Sequence, residues 1–245
     1  MFERGDIEAI ERATAEAVAP ERLDEVDGWL VARDPGTITR AHSAAPLSHR
    51  AEPAALDWIE GLYREAGYPA VFRLAEVPGL ARVAERLSAR GYVADKPTLV
   101  KTGTVEAMLA KARGAPGEVA ERPGPGWGEV FTSEGFDAAD GASRVAALSR
   151  AADAVYGWVR EDGAVLAVGV MAFGQGWASV HGMRTRADRR GEGLAGRVLG
   201  GLAEAARARS VSRVFLQVEE GNPARSLYRG LGFAPAWKYG YWRRP

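Results

Sequence analysis

Arg190-Gly191-Glu192-Gly193-Leu194-Ala195 decides the reading of this chain, together with Asn222-Pro223-Ala224-Arg225-Ser226-Leu227-Tyr228-Arg229-Gly230-Leu231-Gly232-Phe233. Upstream of the first segment, Trp177 to Thr185 carries a strand pattern. Downstream, Leu194, Val198, Leu202 and Ala206 recur every four residues, with Ala195, Leu199 and Ala205 beside them and Arg197, Glu204 and Arg207 opposite. That spacing makes one apolar stripe on an amphipathic helix. The order is therefore strand, glycine turn, helix. The first turn of a helix leaves backbone N–H groups without partners and carries partial positive charge. Gly191 and Gly193 can take positive φ and put no side chain in front of those groups. A diphosphate fits such a nest, and Arg189 and Arg190 add forked, charged donors.

Two other phosphate loops can be compared. A Walker loop requires a lysine that this turn lacks. Gly191-Glu192-Gly193-Leu194-Ala195-Gly196 has the spacing of a dinucleotide fingerprint, but no acidic residue closes a following strand about 20 residues on. Glu219 and Glu220 come later, beside the second segment. With 30 glycines in 245 residues, a glycine pair alone says little, so the second segment carries the decision.

Ser212 to Glu219 alternates as a strand, with Val214, Leu216 and Val218 on one face and Phe215, Gln217 and Glu219 on the other. Asn222 then suits a helix cap, Pro223 the first helical position, and Gly232 a helix end. An isolated Tyr228 would read as a half-buried packing residue. In context, Asn222, Ala224, Leu227 and Tyr228 stand close to the Asn-x-Ala-x-x-Leu-Tyr form of the GNAT superfamily, the acyl-CoA-dependent N-acyltransferases. With the glycine turn, residues 118–245 resemble that superfamily in order and spacing.

The resemblance implies acetyl-CoA as acyl donor and direct transfer to a primary amine. It implies a cofactor site made of Met183, Arg184, Thr185, Arg189, Arg190, Gly191, Glu192, Gly193, Leu194, Ala195 and Asn222. A backbone N–H near Met183 to Thr185 would meet the oxyanion. Tyr228 would give a proton or hydrogen bond to the leaving thiolate. Asn222 would hold the pantetheine arm or a water, cap the helix, or do both. The general base stays open between Glu219, His181, Glu220 and a water chain. A non-catalytic acyl-CoA-binding sensor or partner-binding module is the competing reading, and retention of both the turn and Tyr228 favours the enzyme.

Composition narrows the class. Basic and acidic residues balance at 32 each, so no bulk basic field points to nucleic acid or an anionic membrane. There is no cysteine, which excludes disulfides, zinc–thiolate sites and a cysteine nucleophile. Three histidines, His42, His49 and His181, make a His-rich metal site improbable, and no metal is expected. The charged start, Met1-Phe2-Glu3-Arg4-Gly5-Asp6, resembles no signal peptide, and the longest apolar stretch, Val165 to Gly174, is too short to span a bilayer. A cytoplasmic location fits. Arginine far outnumbers lysine, and with abundant alanine and glycine this suggests a GC-rich bacterial genome. The partner is a small-molecule or peptide amine, and a homodimer is compatible with the chain.

Residues 55–93 repeat the plan of residues 194–234. A helix over Ala55 to Ala66, a strand over Ala70 to Leu74 and a helix opening at Val77-Pro78-Gly79-Leu80 lead to Arg90-Gly91-Tyr92. Aligned on Gly91 and Gly232, Leu87 takes the place of Tyr228. Aligned on the strands, Ser48-His49-Arg50 takes the place of the glycine turn. The expected fold is α/β, a mixed sheet in two GNAT-like domains, each mostly antiparallel and flanked by helices. Residues 1–112 form the degenerate domain, 113–127 a Pro/Gly-rich linker and 128–245 the catalytic domain. Further expectations are a strand pair over Asp27 to Arg33 and Thr37 to Ala41 with a Pro35-Gly36 turn, a strand over Lys96 to Thr102, and a helix over Val105 to Arg113. In the second half they are helical structure over Phe136 to Ala151, strands over Ala154 to Arg160, Ala164 to Phe173 and Trp177 to Arg184, and a last strand over Tyr239 to Arg243.

Overall fold

The period-2 and period-3.6 stretches of the sequence become strands and helices of a single sheet, seen in a computed structural model that describes residues 4–245. The first half runs α1 (Arg4–Val18), β1 (Arg22–Val26), β2 (Trp29–Arg33), β3 (Ala44–Pro46), α2 (Leu56–Glu65), β4 (Phe72–Ala75), α3 (Ala81–Ala89) and β5 (Val93–Thr104). The second runs α4 (Val105–Lys111), β6 (Glu118–Ala120), α5 (Glu129–Thr132), α6 (Ala138–Leu148), β7 (Ala154–Glu161), β8 (Ala164–Gly174), β9 (Trp177–Thr185), α7 (Leu194–Ala208), β10 (Arg213–Glu219), α8 (Arg225–Gly230) and β11 (Ala234–Arg243). The strands form one sheet in the order β1-β2-β3-β4-β11-β5-β10-β9-β8-β7-β6. Two neighbouring pairs are parallel, β3–β4 and β9–β10, and the others are antiparallel.

The two parallel pairs share a plan. Each is joined by a helix (α2, α7), and each second strand leads through a helix (α3, α8) into a long strand (β5, β11). Those long strands are exchanged. β5 pairs with β10 of the other half, β11 pairs with β4, and β5 and β11 pair with each other in the middle. Neither half therefore completes its sheet from its own residues.

Helices cover both faces. The apolar stripe of α7, including Val198, Leu199 and Leu202, is fully buried against β7 and β8. Each such side chain contributes about 1.5–3 kcal/mol by leaving water. On the opposite face α1 lies across β8 and β9. Its Ile7, Ile10 and Ala13 pack with Trp177, Phe215 and Tyr239, while Ala17 and Val18 join Trp127, Phe131 and Val170. Residues 4–18, for which the sequence reading proposed no element, thus supply a core helix. α2 and α3 cover the first half of the sheet with Ile59, Tyr63, Val83 and Leu87.

The expected strand pair across Pro35-Gly36 is not formed. The hairpin is β1–β2, closed by Asp27 and Gly28 at φ 46° and 76°, the positive pair that suits a two-residue turn. Beyond it the buried Asp34 carboxylate accepts from Gly36 N at 2.7 Å and Glu21 N at 3.2 Å, and pairs with Arg150. That Asx turn directs Thr39 to His42 into a single 3-10 turn instead of a strand. No helix among the described residues is long and apolar enough to cross a membrane.

Candidate active site

β9 and β10 are hydrogen-bonded neighbours only where Ala178–Val180 meets Val214–Leu216. Past that point β9 follows β8 and β10 follows β5, so the sheet splits. The wedge between them is a cleft of about 350 Å³. Its walls are His181 to Arg184 on one side, Gln217 to Glu219 on the other, and Asn222 and Tyr228 from the segment that follows β10.

The β9 wall contains a bulge. Val170 faces His181 and Val168 faces Arg184, so Gly182 and Met183 together oppose Gly169. Neither has a register partner on β8 or on β10. Gly182 adopts φ 57°, and a Cβ there would stand 2.5 Å from Leu148 Cδ1, so glycine is required at this kink. Gly182 and Met183 line the cleft at this bulge, so their backbone stands where an N–H could meet an oxyanion. Met183 and Arg184 belong to this wall, whereas Thr185 ends β9 beyond it, paired with Ala167. The Arg184 guanidinium lies 4.2 Å from the Phe136 ring centroid and 3.8 Å from Asp140. Its pKa is lowered by burial first, then by the nearby Arg144 and Arg190 charges.

At the end of β9 the chain reaches the glycine turn. Gly191 and Gly193 take φ 86° and 78°, and a Cβ built on either would meet nothing within 4 Å. Gly193 is the N-cap of α7 and makes no side-chain cap bond, while Leu194 is buried behind it. Gly196 N and Arg197 N donate to Gly193 O, whereas the N–H groups of Leu194 and Ala195, in the first turn of α7, have no helical acceptor. The two arginines divide. Arg189 is held by Glu192 and Glu161 at 2.7 and 2.9 Å, so the expected phosphate donor and Glu192 are engaged with one another. Arg190 is exposed, lies over Phe136 and has no acidic partner among the described residues. Open volume, free N–H groups and one uncommitted cation fit a diphosphate.

Tyr228 reaches the cleft from α8, 8 % exposed and edge-on to Phe233. Burial pushes its pKa up to about 12, so the hydroxyl keeps its proton at every working pH. Asn222 lines the cleft and caps the turn into α8, its Oδ1 accepting from Ala224 N at 2.9 Å. Glu219 is exposed at the mouth, whereas Glu220 stands 3.7 Å from Lys238. His181 is 4 % exposed with neither ring nitrogen partnered. Burial, followed by the charge of Arg40, pushes its pKa down to about 3, which leaves it a weak proton acceptor.

The first half contributes cleft residues that sequence reading did not assign. Thr37 to Arg40, Lys96 and Thr98 line it, as does Tyr241 of β11. Behind them a polar chain runs from α1 to the cleft. Thr14 accepts from Gln217 at 2.7 Å, and Gln217 accepts from Tyr239 at 2.8 Å. No local pattern marks Arg40 in the sequence, because its position depends on the exchanged strands and the Asp34 turn.

The family model described as "Probable histone acetyltransferase Rv0428c C-terminal" matches residues 4–242. No curated protein sequence matches the chain. Among solved structures, a GCN5-related N-acetyltransferase from Kribbella flavida is 18% identical with a TM-score of 0.72, covering 99% of this chain and 97% of that one. A tandem GNAT protein from the clavulanic acid biosynthesis pathway is 17% identical with a TM-score of 0.63, over 95% and 86% of the two chains. A GCN5-related N-acetyltransferase from Sphaerobacter thermophilus is 17% identical with a TM-score of 0.58, over 100% and 95%. At these identities the likeness is one of fold.

Proposed function

The chain belongs to this acetyltransferase family, and on that premise we propose that it transfers the acetyl group of acetyl-CoA to a primary amine by direct attack on the thioester. The observation that carries the reading is the split between β9 and β10, with a bulge of the β9 backbone on one wall and the protonated Tyr228 lining the same cleft. Leu194 and Ala195 N–H, with Arg190, hold the diphosphate. The Gly182–Met183 bulge directs the thioester carbonyl and stabilises its developing negative charge. The amine, having lost its ammonium proton to water or to Glu219, forms the C–N bond as the C–S bond breaks. Tyr228 gives its proton to the departing sulfur, and the proton released by the acylated nitrogen returns the hydroxyl to its starting state.

The exchanged architecture supports a reading of two GNAT-like halves, one of which carries the chemistry. In the first half Leu87 is sealed in the core where Tyr228 would stand. Ser48-His49-Arg50 forms a turn closed by the Ser48 hydroxyl, with no glycine nest. One acetyl-CoA per chain follows. Purified protein mixed with acetyl-CoA and an amine panel, with free thiol followed, tests the reading. Calorimetric binding without thiol release would instead mark an acyl-CoA-binding module.

A further inference from the structure

We propose that the acceptor is a small primary amine carrying a carboxylate, and that Arg40, with His181, is the group that selects it. The inference rests on the acetyltransferase reading and concerns the part of the cleft away from the glycine turn. Arg40 comes from the 3-10 turn after β2, lines the cleft, and keeps its Nε buried and unpartnered. It has no carboxylate within ion-pair distance among the described residues. The nearby Arg73–Glu11 pair, 5 % and 7 % exposed, is neutral by itself and leaves nothing over for Arg40. Its other neighbours, Tyr239 within hydrogen-bonding reach and Tyr241, bring phenol hydroxyls and no carboxylate.

A half-buried guanidinium with no carboxylate to face is costly, and so is a buried imidazole with both nitrogens unmet. Arg40 and His181 show both conditions side by side in one cavity. The acyl donor does not relieve them. Its phosphates belong at Arg190 to Ala195, none of which lines the cleft, and its pantetheine arm and thioester are uncharged. The remaining charges reinforce the sign. Lys96, Arg144 and Arg184 line the cleft against Glu219 alone, and Arg144 and Arg184 share Asp140. A lysine flanked by basic residues, as in a histone tail, would meet repulsion here. A carboxylate would accept two forked bonds from Arg40 and one from the imidazole N–H.

The test is thiol release by the full chain on matched acceptors. L-α-amino acids, β-alanine and γ-aminobutyrate are each compared with the amine lacking the carboxylate, alongside a basic lysine peptide. At least one carboxylated member should exceed its partner in kcat/KM by roughly 100-fold or more, because a site built for a polar group rejects its absence strongly. Arg40→Gln should collapse that ratio to within about threefold, chiefly through the acceptor KM, with the KM for acetyl-CoA unchanged. Arg40→Lys should restore part of it, which a merely structural role would not predict, and melting curves confirm that both variants fold. Equal use of carboxylate-free amines, preference for the basic peptide, or an Arg40→Gln enzyme that keeps the ratio would overturn the inference while leaving the transferase reading intact. Acetyl-CoA binding with no transfer to any acceptor overturns the inference as well. No binding and no transfer would overturn the transferase reading itself.

Discussion

Gly193→Ala separates the cradle from the fold. Gly193 sits at φ 78° with nothing within 4 Å of a built Cβ, so the methyl enters without a clash in the free protein. An L-residue in this left-handed region costs roughly 1–2 kcal/mol. The reduced freedom of the unfolded chain offsets about 0.4–1 kcal/mol of it. The net loss is about 1 kcal/mol, a Tm change of about 2–4 °C for a chain of this size. The effect on ligand should be far larger. The methyl stands where a diphosphate must approach Leu194 and Ala195 N–H, and hydrogen bonds to a charged group contribute about 1.5–3 kcal/mol each. Losing one, about 1.5–3 kcal/mol, weakens acetyl-CoA by roughly 10- to 140-fold, and losing both by more. Gly163→Ala is the control, since Gly163 has φ 82° and equally open space but lies in the β7–β8 turn. Calorimetric titration and thermal melting read both quantities. Similar melting losses with a Gly193→Ala affinity within threefold of wild type would refute the cradle.

Four further outcomes follow from the same geometry. Tyr228→Phe should lower kcat by roughly 100-fold, with the acetyl-CoA Kd nearly unchanged by calorimetry; an unaltered kcat under rate-limiting chemistry would return Tyr228 to packing. His181 stays neutral in the fold to about pH 3, while its unfolded imidazole protonates below about 6.5. The unfolded state then binds the extra proton, so stability falls as pH drops from about 6.5 toward 3, by up to about 1.4 kcal/mol per pH unit. Urea unfolding at pH 7, 6 and 5 should show a slope shallower by that amount in His181→Leu, and equal slopes would contradict the assignment. Arg73→Met leaves Glu11 buried without its partner, at a cost of about 3–5 kcal/mol by urea unfolding, part of which Glu11→Gln should recover in the double variant. Titration of the intact chain should give one acetyl-CoA, and a second independent site would show that the first half is not a degenerate copy.

Local chemistry was legible wherever a short stretch of sequence determines its own conformation. The glycine turn, the helix it opens and the strand before Asn222 follow from period and capping, and they stand where those signals put them. Tyr228 was singled out by the resemblance of Asn222, Ala224, Leu227 and Tyr228 to the GNAT form, since the tyrosine alone read as a packing residue. Boundaries moved by a residue or two, as for α2 and β7. The hairpin was misplaced because Asp27-Gly28 was read into a strand and Pro35-Gly36 as the turn, whereas the chain turns at Asp27-Gly28 and the buried Asp34, paired with Arg150, shapes the segment that follows.

What the tertiary structure decided is everything that depends on residues distant in the chain. Sequence predicted two similar halves, but β5 and β11 could not be read as exchanged, because each has the same alternating pattern whichever half it pairs with. The bulge at Gly182–Met183 is invisible in sequence, since a register shift requires the partner strand to define it. Arg40 and His181 reach one cavity from segments far apart in the chain, and only folding leaves Arg40 Nε and both His181 ring nitrogens buried without partners. Periodicity and turn chemistry act over a few residues and are written locally. The split sheet, the buried charge and the shape of the acceptor pocket arise from long-range pairing and desolvation, which no local stretch encodes.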